Sequence, residues 1–212
     1  MSQGLLHGKR GIIFGALNDM SIAWQVALQA HAQGATFVLT NAPIAMRMGE
    51  INNLASQTGS QVIPADATST EDLENLFTQA MEILGGKIDF VLHSIGMSPN
   101  VRKGKHYTNV DYKFYNQTMD VSAISLHKTL ATAYKLDALN EWGSVVALTY
   151  IAAQRIFPDY NDMADAKSLL ESITRSFGYH YGIKNKVRVT TIISICVAKS
   201  CPSCVCASCS RW

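Results

Sequence analysis

No cysteine precedes Cys196 in this chain of 212 residues. A disulfide framework in the body is therefore excluded, and so is thiolate ligation of a metal there. A cysteine-free body fits a reducing compartment. Proline is scarce, at five residues, and no Pro-rich or Gly/Ser-rich stretch offers a linker. The length matches one domain of roughly 100–200 residues. Charge is sparse and nearly balanced, with 16% charged residues and a net charge of +2, which gives no reason to expect nucleic acid as a partner. No apolar run reaches the roughly 20 residues of a membrane-spanning helix. The opening "MSQGLLHGKRGIIFG" puts its charges before a short apolar run, as a signal peptide would. That run leads into a glycine turn and a helix, without a small-residue cleavage site, so it reads as a first strand and the protein as cytoplasmic. What is present is 48% hydrophobic residues, enough for a sizeable core.

Those apolar residues fall into short runs that alternate with segments of helical period. Strands are expected at 9–14, 35–40, 61–64, 88–93, 144–149 and 187–192. Helices are expected at 21–33, 44–57, 70–84, 111–140 and 160–181, with a polar loop, "SPNVRKGKHYTN", after the fourth strand. The strands are apolar on both faces, which suits parallel strands covered on both sides. The alternation predicts an α/β fold, a Rossmann-like doubly wound parallel sheet.

The first strand runs into "FGALNDMSIAW", where Gly15 ends the strand and a helix starts near Ser21. A helix N-terminus presents unpaired N–H groups and suits a pyrophosphate. The G-x-G-x-x-G spacing is absent, since Gly11 and Gly15 are followed by no third glycine. Ser21 fits either a helix cap or a phosphate donor. The second strand ends in "LTNAP", without the Asp or Glu that often marks NAD or the Arg that often marks NADP; Arg47 lies further on. Asp66, in "PADATS", fits either an adenine contact or a cap for the next helix.

"LTYIAAQRIFPDYNDMADAK" carries the chemistry. Tyr160 and Lys167 are seven apart, nearly two helical turns, which predicts one shared helix face. Tyr150 falls at the end of the fifth strand, on the edge where open α/β sheets bind ligands. Two phenols and an ammonium there suit a reaction that develops negative charge on a carbonyl oxygen. The plainer alternative is two surface residues of a helix.

In these segments the chain resembles the enoyl-acyl-carrier-protein reductases of bacterial fatty-acid synthesis, a divergent branch of the short-chain dehydrogenases/reductases. "GKRGIIFGALNDMSIAW" resembles the family's cofactor turn, "VLHSIGMSP" the segment after the fourth strand, and Tyr150, Tyr160 and Lys167 stand at the family's spacing. The resemblance covers about residues 4 to 192. It implies a cofactor site of Gly15, Ser21, Ile22, Asp66, Ala67, Ser94, Ile95, Gly96 and Lys167, with NADH favoured over NADPH. It implies catalytic roles for Tyr150, Tyr160 and Lys167, and a substrate site of Ser98, Tyr150 and Tyr160. A hydride would pass from NADH to the β-carbon of a trans-2-enoyl thioester carried by acyl carrier protein, with Tyr160 donating to the thioester oxygen. Arg102, Lys103 and Lys105 are candidates for a basic rim, and a homo-oligomer, a tetramer, is implied. A short-chain ketoreductase is the alternative, but it would use Tyr-x3-Lys, and Ala164 stands four after Tyr160. Two positions depart from the family's usual residues, Gln25 and Ala42.

The resemblance stops at Ile193. The expected division is a reductase domain over 1–192 and an atypical tail over 193–212, lacking the family's closing turn, substrate-covering helix and last strand. In the tail, Cys201-x2-Cys204 and Cys206-x2-Cys209 are separated by one residue, too tight for known zinc knuckles. A four-thiolate metal site, a disulfide knot and a segment foreign to the fold are the three readings. The last is preferred and no metal is expected. A dinucleotide-binding remnant without turnover is the corresponding alternative for the whole chain.

Overall fold

The structure, a computed structural model, describes residues 4–46 and 50–193. The readings placed on Arg47 and on the cysteines therefore lie outside the described residues.

Six parallel strands form one sheet: β1 (Arg10–Phe14), β2 (Thr36–Thr40), β3 (Gln61–Val62), β4 (Ile88–His93), β5 (Leu139–Thr149) and β6 (Arg188–Ile193). Their order is β3-β2-β1-β4-β5-β6, which confirms the doubly wound arrangement. Between β1 and β4 the winding reverses, and the crevice at the carboxyl ends of these two strands is where such sheets take ligands. The helices are α1 (Ile22–Ala32), α2 (Pro43–Met46), α3 (Glu50–Thr58), α4 (Thr70–Leu84), α5 (Pro99–Arg102), α6 (Tyr112–Met119), α7 (Ser125–Lys135) and α8 (Asp162–Asn185).

Both faces are buried along β1 and β2, as two-sided apolar strands require. β6 departs from that expectation, with Val189 buried and Ile192 and Ile193 exposed. Ile12, Phe14, Val38, Val91 and Val145 pack against α4, α7 and α8. Ile13, Phe37, Leu39 and Leu92 point the other way, onto α1 and α3. Gly11 is not part of a phosphate turn. It lies within β1 opposite Phe90 of β4. The Phe90 ring covers it so closely that a Cβ would come within 2.1 Å of the ring.

The expected helix over 44–57 is helical on both sides of the undescribed residues 47–49, as α2 and α3. Further along, the predicted elements differ. The long helix over 111–140 is α6, a π-turn at Asp120–Ile124 and α7. It stops where Asp137 takes a left-handed φ of 49°. The following strand starts five residues before Ser144, at Leu139, and passes an irregularity at Trp142, whose φ is 62°. Local polarity, "LNEWG", hid that strand start.

Candidate functional site

Gly15 follows β1 and its N–H donates to the Thr40 carbonyl at 3.1 Å. Its φ of +86° is the left-handed conformation that favours glycine. A Cβ here would lie 2.0 Å from the Ser94 carbonyl oxygen, just after β4. At this point the turns after β1 and β4 approach each other closely, backbone to backbone. Ser21 resolves as the N-cap of α1: its Oγ accepts from Trp24 N and donates to the Asn18 carbonyl at 2.7 Å. The helix N-terminus, with Ile22 as its first residue, opens at this turn. Gln25 reaches back to brace the loop, donating through Nε2 to the Asp19 carbonyl at 3.0 Å.

Asp66 is not a helix cap. Ser69 caps α4 by accepting from Asp72 N. Asp66 Oδ1 accepts from the Thr68 amide and hydroxyl, both at 2.8 Å, in an Asx turn that orients the carboxylate. Ala67 beside it is buried.

Beyond β4 the chain runs through Ser94, Ile95 and Gly96. A Cβ at Gly96 would sit 2.7 Å from Met163 Cε and 3.7 Å from Lys167 Nζ, so the segment passes directly against α8. Met97 is held on both sides by Ser122 in the π-turn, whose hydroxyl accepts from Met97 N at 2.9 Å and donates to its carbonyl at 3.0 Å.

Lys167 is 6% exposed, and its Nζ donates to the Leu148 carbonyl at 2.7 Å, which fixes the ammonium at the carboxyl end of β5. Tyr150 follows β5 immediately. Its ring lies 4.7 Å from that of Tyr160 and 5.3 Å from that of Phe157, centre to centre. Tyr160 is not on the helix with Lys167, as the spacing had predicted. It closes a 3₁₀ turn, Pro158–Tyr160, and α8 begins after it. The junction is Asn161, at φ 46° and ψ −138°, whose Oδ1 caps Asp162 N at 2.6 Å. Tyr160 lies in a tilted ring contact with Tyr150, at 45° between the ring planes, rather than on a helix face shared with Lys167.

Sequence reasoning passed over His93. It is fully buried at the end of β4. Ser125 spends its one proton on the Val121 carbonyl at 2.7 Å. The 3.0 Å contact to His93 Nε2 therefore has the imidazole as donor, which leaves Nδ1 deprotonated. Among the described residues Nδ1 has no hydrogen-bond partner, and neither does the Thr40 hydroxyl. Burial, reinforced by the charge of Lys167, holds the His93 pKa down at about 3, so the ring is neutral. Ser98 was expected near substrate. It is buried, caps α5 and donates to Asp162 Oδ1 at 2.6 Å. Arg102, Lys103 and Lys105 are exposed, with Lys103 Nζ 4.1 Å from the centre of the Phe114 ring.

The surroundings suit a dinucleotide: a helix N-terminus beside a glycine that tolerates no side chain, an uncharged run at Ile95 and Gly96, and a fixed ammonium beside it. No group of three or more metal-ligating side chains occurs among the described residues. No helix among them is long and apolar enough to cross a membrane.

Comparison with known proteins points one way. The family model described as enoyl-(acyl carrier protein) reductase matches residues 15–201. An enoyl-[acyl-carrier-protein] reductase [NADH] of Rickettsia bellii is 36% identical over 91% of this chain and 72% of its own length. One of two from Rhizobium meliloti is 33% identical over 90% of this chain and 69% of its own length. A crystal structure of the FabI protein of Alistipes finegoldii superposes with a TM-score of 0.89 at 59% identity, covering 91% of this chain and 72% of that one. The FabI–NADH complex from the same organism gives a TM-score of 0.88 at 60% identity, covering 89% and 67%.

Proposed function

The chain belongs to the enoyl-(acyl carrier protein) reductase family, and from that premise we propose that it reduces trans-2-enoyl thioesters on acyl carrier protein with NADH, in the cytoplasm. The observation that carries the reading is the Tyr150–Tyr160 ring contact at the carboxyl end of β5, with the Lys167 ammonium fixed to Leu148 on the same edge.

Gly15, Ser21, Ile22, Asp66, Ala67, Ser94, Ile95, Gly96 and Lys167 hold the dinucleotide in this proposal. NADH, when bound, supplies the hydride that reaches the substrate β-carbon. The protein's own work is done at the thioester oxygen, where negative charge gathers. Tyr160 donates a hydrogen bond to that oxygen, and its tilted contact with the Tyr150 ring helps to aim the phenol without a helical scaffold. Lys167 holds the ribose hydroxyls and adds positive potential beside the developing charge. Neutral His93 keeps a second positive charge away from Lys167. Tyr150 lines the acyl pocket. Ser98 contributes as part of the wall, since its hydroxyl is committed to Asp162. Arg102, Lys103 and Lys105 face the acidic carrier protein, and the chain assembles with further copies of itself.

A crotonyl thioester assayed with NADH and NADPH side by side tests the reading. Oxidation of NADH with formation of the saturated thioester is the expected result. Tight NADH binding in a fluorescence titration without turnover would instead identify a dinucleotide-binding remnant.

A further inference from the structure

The residues just after Tyr160 reach across to a single stretch of chain. Asn161 Nδ2 donates to the Lys105 carbonyl. Asp162, with no exposed surface, accepts from Ser98 Oγ at 2.6 Å on one oxygen. Its other oxygen accepts from Asn100 Nδ2 at 2.8 Å and from Thr118 Oγ1 at 2.9 Å, whose single proton is shared with the Phe114 carbonyl, also at 2.9 Å. Asn100, also fully buried, gives its second amide hydrogen to the Asp111 carbonyl and takes the Asp111 N–H on its own oxygen. One turn further along α8, Asp165 Oδ2 accepts from Tyr107 at 3.0 Å and Tyr115 at 3.1 Å. Burial and that carboxylate push the Tyr115 phenol up to about 12, so it stays a donor.

We propose that Asp162 is a positioning residue: its buried carboxylate fastens the segment from Ser98 to Thr118 to the start of α8 and so sets the substrate-side wall against the Tyr150–Tyr160 pair. A carboxylate taken wholly out of water is costly unless every lone pair is met. Here three side chains meet it: Ser98, the cap of α5, Asn100 within α5, and Thr118 of α6. The cofactor side is held by different bonds, from Gly15 to Thr40 and from Lys167 to Leu148. Loss of Asp162 therefore loosens one wall and spares the other. The inference rests on the enoyl-reductase reading for its kinetic readout.

The test uses the full chain with Asp162→Ala and Asp162→Asn. NADH affinity is titrated by fluorescence, KM and kcat for a crotonyl thioester are measured at saturating NADH, and amide hydrogen exchange is followed over 98–118. Removing a buried charged acceptor should raise KM roughly ten- to a hundredfold. The Kd for NADH should stay within about twofold, because the Lys167 and Gly15 contacts are intact. Exchange should quicken at Val101 and Asp111, whose amides depend on Ser98 and Asn100. Should Asp162→Ala fail to fold, Thr118→Val removes one donor only and should move KM in the same direction by less. An unchanged KM, or KM and NADH Kd rising together, would overturn the proposal. If the parent chain reduces no enoyl thioester, the functional reading fails, and exchange over 98–118 alone decides the clamp: faster exchange in Asp162→Ala supports it, unchanged exchange sinks it.

Discussion

The two approaches to the ligand crevice are built from opposite materials. The turn after β1 is backbone against backbone: Gly15 N–H on Thr40, and its α-carbon against the Ser94 carbonyl. The approach to α8 is made of side chains, with the Tyr150–Tyr160 ring contact, the Asn161 cap and the Asp162 carboxylate filling the same structural need. A backbone-built wall accepts changes of polarity but no added atom. A side-chain-built wall accepts changes of shape at its rim but no lost acceptor or donor. Each half should thus fail under a different kind of substitution.

The sharpest break is expected at Gly15→Val. It adds atoms where a Cβ alone would lie 2.0 Å from Ser94 O, at a φ of +86°. Such strain together with overpacking costs about 3–5 kcal/mol. Urea denaturation should show it, and a parental midpoint would show that the turn is not backbone-locked. On the other wall, Tyr160→Phe removes one hydroxyl and little volume. Stability should hold and NADH should still bind, but turnover should drop ~10²-fold, about 3 kcal/mol in the barrier. A Phe variant with the parental rate would end the assignment of Tyr160.

His93 sits between the two walls and gives the comparison a pH axis. In the unfolded chain its imidazole takes a proton near 6.5, in the folded one only near 3. Unfolding therefore takes up a proton between those values, and stability falls as pH drops through that window and is complete above it. At pH 5 the loss from this group is about 2 kcal/mol. Thermal melts of the parent and of His93→Gln at pH 5 and 7 should show a pH slope that the variant lacks. The smallest effect belongs to Ser21→Ala, which loses the α1 cap and should cost about 1 kcal/mol. A drop as large as that of Gly15→Val would show that the β1 turn depends on side chains after all.

The backbone-built half was the more legible in the sequence. Glycine after an apolar run, then a serine before a helical period, are local signals, and β1, α1 and the Gly15 turn stand as they predict. Tyr160 and Lys167 were selected by a spacing argument whose geometry does not hold, since a 3₁₀ turn replaces the first helical turn. What survives is the pair's place at the carboxyl edge of β5. The Asp162 hub could not be read at all: its partners Ser98 and Asn100 lie 64 and 62 residues away, and "YNDMADAK" looks like an ordinary acidic helix start. His93 was hidden for the same reason, because its meaning depends on Ser125 and on burial by the fold.

The Phe90 ring over Gly11 binds two positions into one heritable unit. Neither can change freely alone: a side chain on β1 needs a smaller residue on β4, and a smaller residue on β4 uncovers β1. Among descendants of this sequence the two should covary, glycine with an aromatic and a larger β1 residue with a small partner. The strand pair at the crevice floor thus carries a record of its register that would be legible by counting substitutions alone.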